Sequence, residues 1–219
     1  MKKVDVIAID GPSGAGKSTI SKVLAEKLGY EYISTGAMYR LVGLLADDKG
    51  IFNDNEKVKQ LCNDIAKKIY FKNGKIYYMG EDYTDKIYEN RVSMLASEIS
   101  KRQVVREALG KLQREIGLKQ PSILEGRDIG TVIFPDAKYK FFLDASPEKR
   151  AERRYKELKE KGENVFFEDI YLEILKRDRN DSTRDIAPLK KAEDAIYIDT
   201  SNLSILEVVD KIIEKVKNS

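Results

Sequence analysis

Three of the six residues from 11 to 16 are glycine, and the run Gly11-Pro12-Ser13-Gly14-Ala15-Gly16-Lys17-Ser18-Thr19 fits the spacing G-x-x-x-x-G-K-[ST]. Few nine-residue stretches constrain a chain as strongly, because that spacing works only between a buried strand and a helix. Both flanks comply. Val4, Val6, Ile7, Ala8 and Ile9 read as a strand buried on both faces, while Ile20, Val23, Leu24 and Leu28 share one helical face before Gly29 ends it. In that setting the curled backbone turns its N–H groups toward phosphate oxygens, and the helix N-terminus adds unpaired donors and partial positive charge. Lys17 is expected at the outer phosphates of a nucleotide, and the Ser18 hydroxyl on magnesium.

A chain of 219 residues is long enough for one well-buried domain with an inserted lobe. It contains no histidine, which removes histidine triads, histidine zinc sites and a histidine general base, so the chemistry falls to carboxylates, lysine, arginine and a metal. The single cysteine, Cys62, lies in the helical stripe Val58, Leu61, Cys62, Ile65, Ile69 and reads as a buried hydrophobe, which suits a reducing compartment. No apolar run approaches membrane-spanning length, and Met1-Lys2-Lys3 leads directly into the first strand, so a cytoplasmic protein is expected. The formal net charge is only +3, but seven of the 12 arginines (Arg127, Arg150, Arg153, Arg154, Arg177, Arg179 and Arg184) crowd into one quarter of the chain. Guanidinium forks match phosphate oxygens bidentately, so the clustering points to small polyanionic ligands.

Further along, Tyr30–Ile33 reads as a strand, with Ser34-Thr35 capping a helix that carries Met38, Leu41, Val42 and Leu45. Asn53 or Asp54 caps the Cys62 helix. Segments 69–72 and 75–79 then flank Asn73-Gly74, a two-residue hairpin signal, with a third strand expected at Tyr83-Thr84. Helices are expected over 90–100 and 103–117. A strand at 122–125 delivers Gly126-Arg127-Asp128 to its carboxyl end, where open α/β sheets bind ligands. Another strand at 139–143 precedes a helix begun by Ser146-Pro147-Glu148, and a helix over about 168–177 runs into Asp178 and the residues up to Arg184. A last strand at 195–199 and a helix with a Ser204/Glu207 capping box close the chain.

The loop alone admits kinases, GTPases, motors and transporters. The chain has no guanine-reading Asn/Thr-Lys-x-Asp run and no Asp-Glu pair after a strand, which leaves a kinase. An acceptor that is itself a phosphate needs no base, only cations that relieve repulsion between two polyanions. Arg40, Arg127 and Arg184 are suited to clamp it. A kinase for another acceptor, such as UMP or dephospho-coenzyme A, and a nucleotide-gated RNA-binding switch remain as rivals, separated by an acceptor panel and by salt-dependent RNA affinity.

The loop together with Ser34-Thr35-Gly36-Ala37-Met38-Tyr39-Arg40, Gly126-Arg127-Asp128-Ile129-Gly130-Thr131, Phe134-Pro135-Asp136-Ala137, Arg150-Ala151-Glu152-Arg153-Arg154 and Ala187-Pro188-Leu189 resembles the bacterial cytidylate kinases. The resemblance runs over the full length in family order. It implies an α/β P-loop kinase core with a helix-flanked parallel sheet (1–33, 106–150 and 190–219), and a monophosphate-binding lobe (about 34–105) whose insert (about 64–95) holds a small antiparallel sheet. A lid over about 150–168 completes this single domain.

The implied reaction is phosphoryl transfer from ATP, with Mg2+, to CMP or dCMP. The partners are those nucleotides, with no nucleic acid and no membrane, acting on a monomer. Arg40, Arg127 and Arg184 would hold the CMP phosphate; Ser97, Arg106 and Asp128 would read cytosine; Arg177 and Asp181 would contact the sugar. Residues Gly11 to Thr19 with Arg150 and Arg154 would hold ATP, and Lys17, Arg127, Arg153 and Arg184 would act on the transferred group. The chain departs from the family pattern in having Glu125 before Gly-Arg-Asp and Thr35 as the hydroxyl near the acceptor phosphate.

Overall fold

The computed structural model describes residues 4–72 and 74–218; Met1-Lys2-Lys3, Asn73 of the expected hairpin turn, and Ser219 lie outside the described residues. Its centre is a five-stranded parallel sheet in the order β2-β6-β1-β7-β8, made of β1 (Val4–Asp10), β2 (Glu31–Ser34), β6 (Ser122–Gly126), β7 (Ala137–Asp144) and β8 (Ile196–Asp199). β1 is apolar without alternation because both faces are covered. Val6 and Ala8 pack with Ile33 and Leu124 under α2 (Thr35–Asp48), α3 (Asn55–Lys68), α5 (Asn90–Ile99) and α6 (Gln103–Gly117). Ile7 and Ile9 pack with Ile123, Phe141 and Leu143 under α1 (Lys17–Leu28) and α9 (Ile205–Lys217). Cys62 is buried in the first of these cores, as its stripe predicts.

Strand register fixes what meets at the carboxyl edge. Ile9 and Ser34 both pair with Glu125, and Asp10 pairs with Gly126, so Asp10, Ser34 and Glu125 reach the same edge beside the glycine-rich loop. A Cβ on Gly11 would lie 1.9 Å from the Leu143 carbonyl oxygen, so only glycine lets the loop leave β1 against β7.

The small antiparallel sheet consists of β3 (Ile69–Lys72), β4 (Lys75–Tyr78) and β5 (Glu81–Asp82). The third strand falls before Tyr83-Thr84 rather than on it. Asp82 Oδ1 accepts from the Thr84 N–H at 2.9 Å, and this local bond turns the chain into the short helix α4 (Thr84–Ile87). Two helices complete the described fold: α7 (Pro147–Glu160), and α8 (Phe167–Thr183), which continues six residues beyond the expected Arg177. Ala151 and Leu158 of α7 pack on Ile170 and Ile174 of α8. The Ser204/Glu207 capping box is formed.

Candidate active site

A cleft of about 1180 Å³ opens at the carboxyl edge of the sheet, between the glycine-rich loop, α2, α5, α6, α7 and α8. This exceeds the usual span of a single small-molecule pocket, roughly 300–1,000 Å³. Residues 13 to 19 of the loop line it, while Gly11 and Pro12 lie beneath. Lys17 is buried and donates from Nζ to the Pro12 carbonyl at 2.6 Å. Burial, reinforced by the positive charge of Arg127, lowers its pKa to about 7.

Ser18 Oγ donates to Glu125 Oε1 at 3.1 Å, and the same oxygen accepts from Ser34 Oγ at 2.7 Å and from the Tyr32 hydroxyl at 3.4 Å. Glu125 is therefore a buried carboxylate held by three hydroxyls, while its carbonyl oxygen accepts from Thr35 Oγ1 at 2.8 Å. Among the described residues no cluster of three or more His, Cys, Asp or Glu side chains could cage a metal ion. One hydroxyl beside one carboxylate is instead the sparse oxygen set that suits magnesium, which keeps most of its other positions for water and phosphate.

Beside the loop stands a group of cations. Arg127 follows β6 directly and donates from Nε to Asp181 Oδ2 at 2.8 Å. Arg184 Nη1 lies 3.8 Å from Asp181 Oδ1, and its Nε is held by the Ala187 carbonyl at 2.7 Å. Arg40 donates to the Ile87 carbonyl at 3.0 Å and faces the Tyr88 ring at 5.3 Å, a partner with no sequence signal. Arg177 has a buried Nε with no hydrogen-bond partner. Burial lowers the Arg177 pKa to about 9, aided by Arg40 and Arg127; burial also takes Arg40 to about 10, with Arg154 and Arg127 adding to the fall against an opposing contribution from Tyr88. For Asp181, burial opposes the charge, but Arg127 and Arg177 outweigh it and hold the carboxyl below its usual range. These cations repel one another, and a bound anion would relieve them.

Toward α5 and α6, Asp128 accepts from Arg106 Nη2 through Oδ2, while Oδ1 sits 3.5 Å from Arg184 Nη2. Arg106 also donates to the Ser100 carbonyl at 3.2 Å and lies over the Tyr39 ring at 5.4 Å. Ser97 Oγ and the Tyr39 hydroxyl are buried without a hydrogen-bond partner. Buried polar atoms in that state point to a missing partner.

Sequence reasoning missed Asp10. Its carboxylate accepts from the Ile129 and Gly130 N–H groups at 2.9 and 2.7 Å, which fixes the single π turn (Ile129–Ile133) directly after Asp128. Burial raises its pKa to about 7 despite those two bonds. A charged residue directly after the apolar run Val6 to Ile9 was the available signal.

Two of the three α7 arginines line the cleft, and the third does not. Arg153 bonds Thr200 through both the hydroxyl, at 3.1 Å, and the carbonyl, and Thr200 Oγ1 reaches the Ala15 carbonyl at 3.3 Å. Arg154 pairs with Glu157 at 2.9 Å. Arg150, expected at the donor phosphates, is instead buried outside the cleft lining. Its guanidinium is consumed by the Ala145 and Ser13 carbonyls at 2.8 and 3.0 Å and by Asp178 at 2.6 Å.

A family model described as cytidylate kinase matches residues 7–218. Similar proteins include the cytidylate kinase of Thermosipho melanesiensis, 51% identical over 214 residues, which are 96% of this chain and 96% of that protein. The cytidylate kinase of Caldicellulosiruptor saccharolyticus is 51% identical over 217 residues (98% and 96%), and that of Thermotoga maritima is 46% identical over 213 residues (96% of each). Among solved structures, a shikimate kinase from Bacteroides thetaiotaomicron superposes with a TM-score of 0.53 at 14% identity, over 97% of this chain and 98% of that one, a likeness of fold.

Proposed function

The chain belongs to the cytidylate kinase family, and from that premise we propose that it transfers the γ-phosphoryl group of ATP to CMP and dCMP through the cleft residues in the roles below. The observation that carries the assignment of roles is the meeting of Arg127, Arg177 and Arg184 around Asp181, with Arg40 lining the same cleft beside a phosphate loop.

The loop backbone from residue 13 to 19 holds the donor phosphates, and Lys17 leaves Pro12 to neutralise charge on the transferred group. Ser18 and Glu125 would hold magnesium, directly or through its water shell; when bound, the ion supplies charge neutralisation between the outer phosphates. Arg40, Arg127 and Arg184 hold the acceptor phosphate in line, with the Thr35 hydroxyl beside it, and Arg177 with Asp181 meets the sugar. No general base is needed, since the attacking phosphate oxygen is already anionic. Arg153 and Arg154 cover the transferred group as α7 closes, which keeps water out.

Asp128 accepts from the cytosine amino group while Arg106 and Ser97 serve the remaining base atoms. Uracil presents a carbonyl where cytosine presents the amino group, so it leaves Asp128 facing another acceptor. Action as a monomer is part of the same proposal. Among the described residues no helix is long and apolar enough to cross a membrane, and the free Cys62 suits the reducing cytoplasm.

The test is a coupled ADP-release assay with CMP, dCMP, UMP, dephospho-coenzyme A or no acceptor. CMP and dCMP should accelerate release far above the acceptor-free rate. Equal release with and without CMP makes the chain an ATPase and overturns the proposal.

A further inference from the structure

The helix α8 faces two places at once. Ile170, Ile174, Arg177, Asp178 and Asp181 fall within one arc of its surface, at helical spacing. The first two pack on α7, and the last three make the face ionic over its final turns. Asp181 meets Arg127 at 2.8 Å. One turn earlier, Asp178 meets Arg150 at 2.6 Å, with side-chain exposures of 23% and 4%, too sheltered for the pair to be screened as a surface bridge is.

Arg150 in turn supports the phosphate loop from below. Its Nη1 donates to the Ser13 carbonyl at 3.0 Å, and its Cβ would lie 2.9 Å from a Cβ built on Gly14, which has φ of +79°. The space between Gly14 and Arg150 is thus too small for a side chain, and the Arg150 guanidinium ties Ser13 to α7. An unbroken run of contacts leads from Ser13 and Gly14 through Arg150 and Asp178, along one turn of α8, to Asp181 and Arg127. Asp178 Oδ1 is buried with no hydrogen-bond partner, so the carboxylate is held at this place by Arg150 at the expense of its second oxygen.

We propose that Arg150 and Asp178 are a positioning pair that couples the phosphate loop to the arginine group of the acceptor, so that filling either site strengthens binding at the other. The inference rests on the assignment of the loop to the donor and of the arginine group to the acceptor. Neither residue touches a nucleotide. What the pair supplies is a coupling free energy, which must be reciprocal between the two ligands, and a chain of contacts is evidence of it only when that coupling is measured.

The test is calorimetric titration of the full chain with CMP, alone and with a saturating non-hydrolysable ATP analogue and magnesium, then the reverse titration. In the parent, the analogue should tighten CMP binding by about fivefold or more, and CMP should tighten the analogue equally. In Asp178→Asn and Arg150→Lys the factor should fall below about twofold, while each ligand alone binds within a few-fold of its parental affinity. Arg150→Lys keeps the charge but loses the fork that spans Ser13 and Asp178.

A factor near one in the parent overturns the proposal, as does a parental factor in both variants. So does a loss of both single-ligand affinities with the factor retained, or loss of the fold in both variants, since either gives the pair a structural role alone. ADP release by the parent, with and without CMP, is measured alongside: failure of CMP to stimulate it refutes the kinase assignment, whereas transfer with an unchanged factor refutes only the coupling.

Discussion

Asp181→Asn removes the carboxylate flanked by Arg127 and Arg184, the arginines proposed to hold the acceptor phosphate. In the parent, Asp181 Oδ2 sits 2.8 Å from Arg127 Nε with side-chain exposures of 9% and 19%, and its Oδ1 is 3.8 Å from Arg184 Nη1. At an effective dielectric of 20 and about 4 Å between charge centres, one such attraction is worth about 4 kcal/mol. Removing one partner of a buried pair generally costs about 3–5 kcal/mol, because the other charge stays buried. The lower end applies, because Arg127 keeps its bond to the Gly126 carbonyl. A loss of about 3 kcal/mol in a domain of this size lowers Tm by about 6–12 °C. Urea and thermal unfolding would measure it, with and without inorganic phosphate. Phosphate should raise the Tm of the variant more than that of the parent, since it replaces the missing negative charge. A loss below about 1 kcal/mol, or equal stabilisation of both proteins by phosphate, would refute the charge-balancing role of Asp181.

Lys17→Met should keep the fold and lower ADP release by about a hundredfold or more, because the ammonium acts on charge in the transferred group; activity within a few-fold of the parent would exclude that role. Parent enzyme should favour CMP over UMP by about a hundredfold in kcat/KM, and Asp128→Asn should lower CMP turnover and narrow the ratio; an unchanged ratio means that Asp128 orients Arg106 without reading the base. Asp10 predicts a pH effect on stability. Its folded pKa of about 7 lies above the ordinary 3.8, so its protonated form supplies stability that is full below about pH 4 and is lost as pH rises through 7. The stability of the parent relative to Asp10→Asn should therefore fall by on the order of 4 kcal/mol between pH 4 and 8 in urea unfolding, and a flat difference would show that folding does not raise the Asp10 pKa.

The parts of the fold legible in the sequence were those set by local pattern. β1, the loop and α1 were readable because a strand buried on both faces, a glycine-rich turn and a 3.6-residue stripe each leave their own mark over a few residues. Arg150 was not readable in the same way. With Arg153 and Arg154 it forms an i, i+3, i+4 set, all on one side of α7, and only the docking of that helix against the loop decides that Arg150 goes under Ser13 while the others face the cleft. Glu125 was legible as the residue ahead of Gly-Arg-Asp, but its grip by Ser18, Ser34 and Tyr32 depends on the register of β2 on β6. Tyr83-Thr84 has the look of a strand, yet one aspartate oxygen on the Thr84 N–H redirects it, a competition between local bonds that residue preference does not resolve.

The charges of the cleft bear on how a kinase avoids giving its phosphoryl group to water. Arg40 and Arg177 are half-buried, and desolvation together with neighbouring cations lowers the pKa of each, so on the proposed roles the acceptor side carries positive charge that a bound anion would balance. Asp181 and Glu125 offset part of that excess, and Asp181 is already paired with Arg127. A monophosphate carries the missing negative charge, whereas water carries none. On the proposed roles, entry of the acceptor would relieve the repulsion among the arginines and let them act on the donor's outer phosphate together with Arg153 and Arg154. Water in the same place leaves them repelled, and the transferring group faces an incomplete set of cations. On this proposal the discrimination arises from the cleft's uncompensated cations, and it requires acceptor-free ADP release to stay slow even with Lys17 and the loop intact.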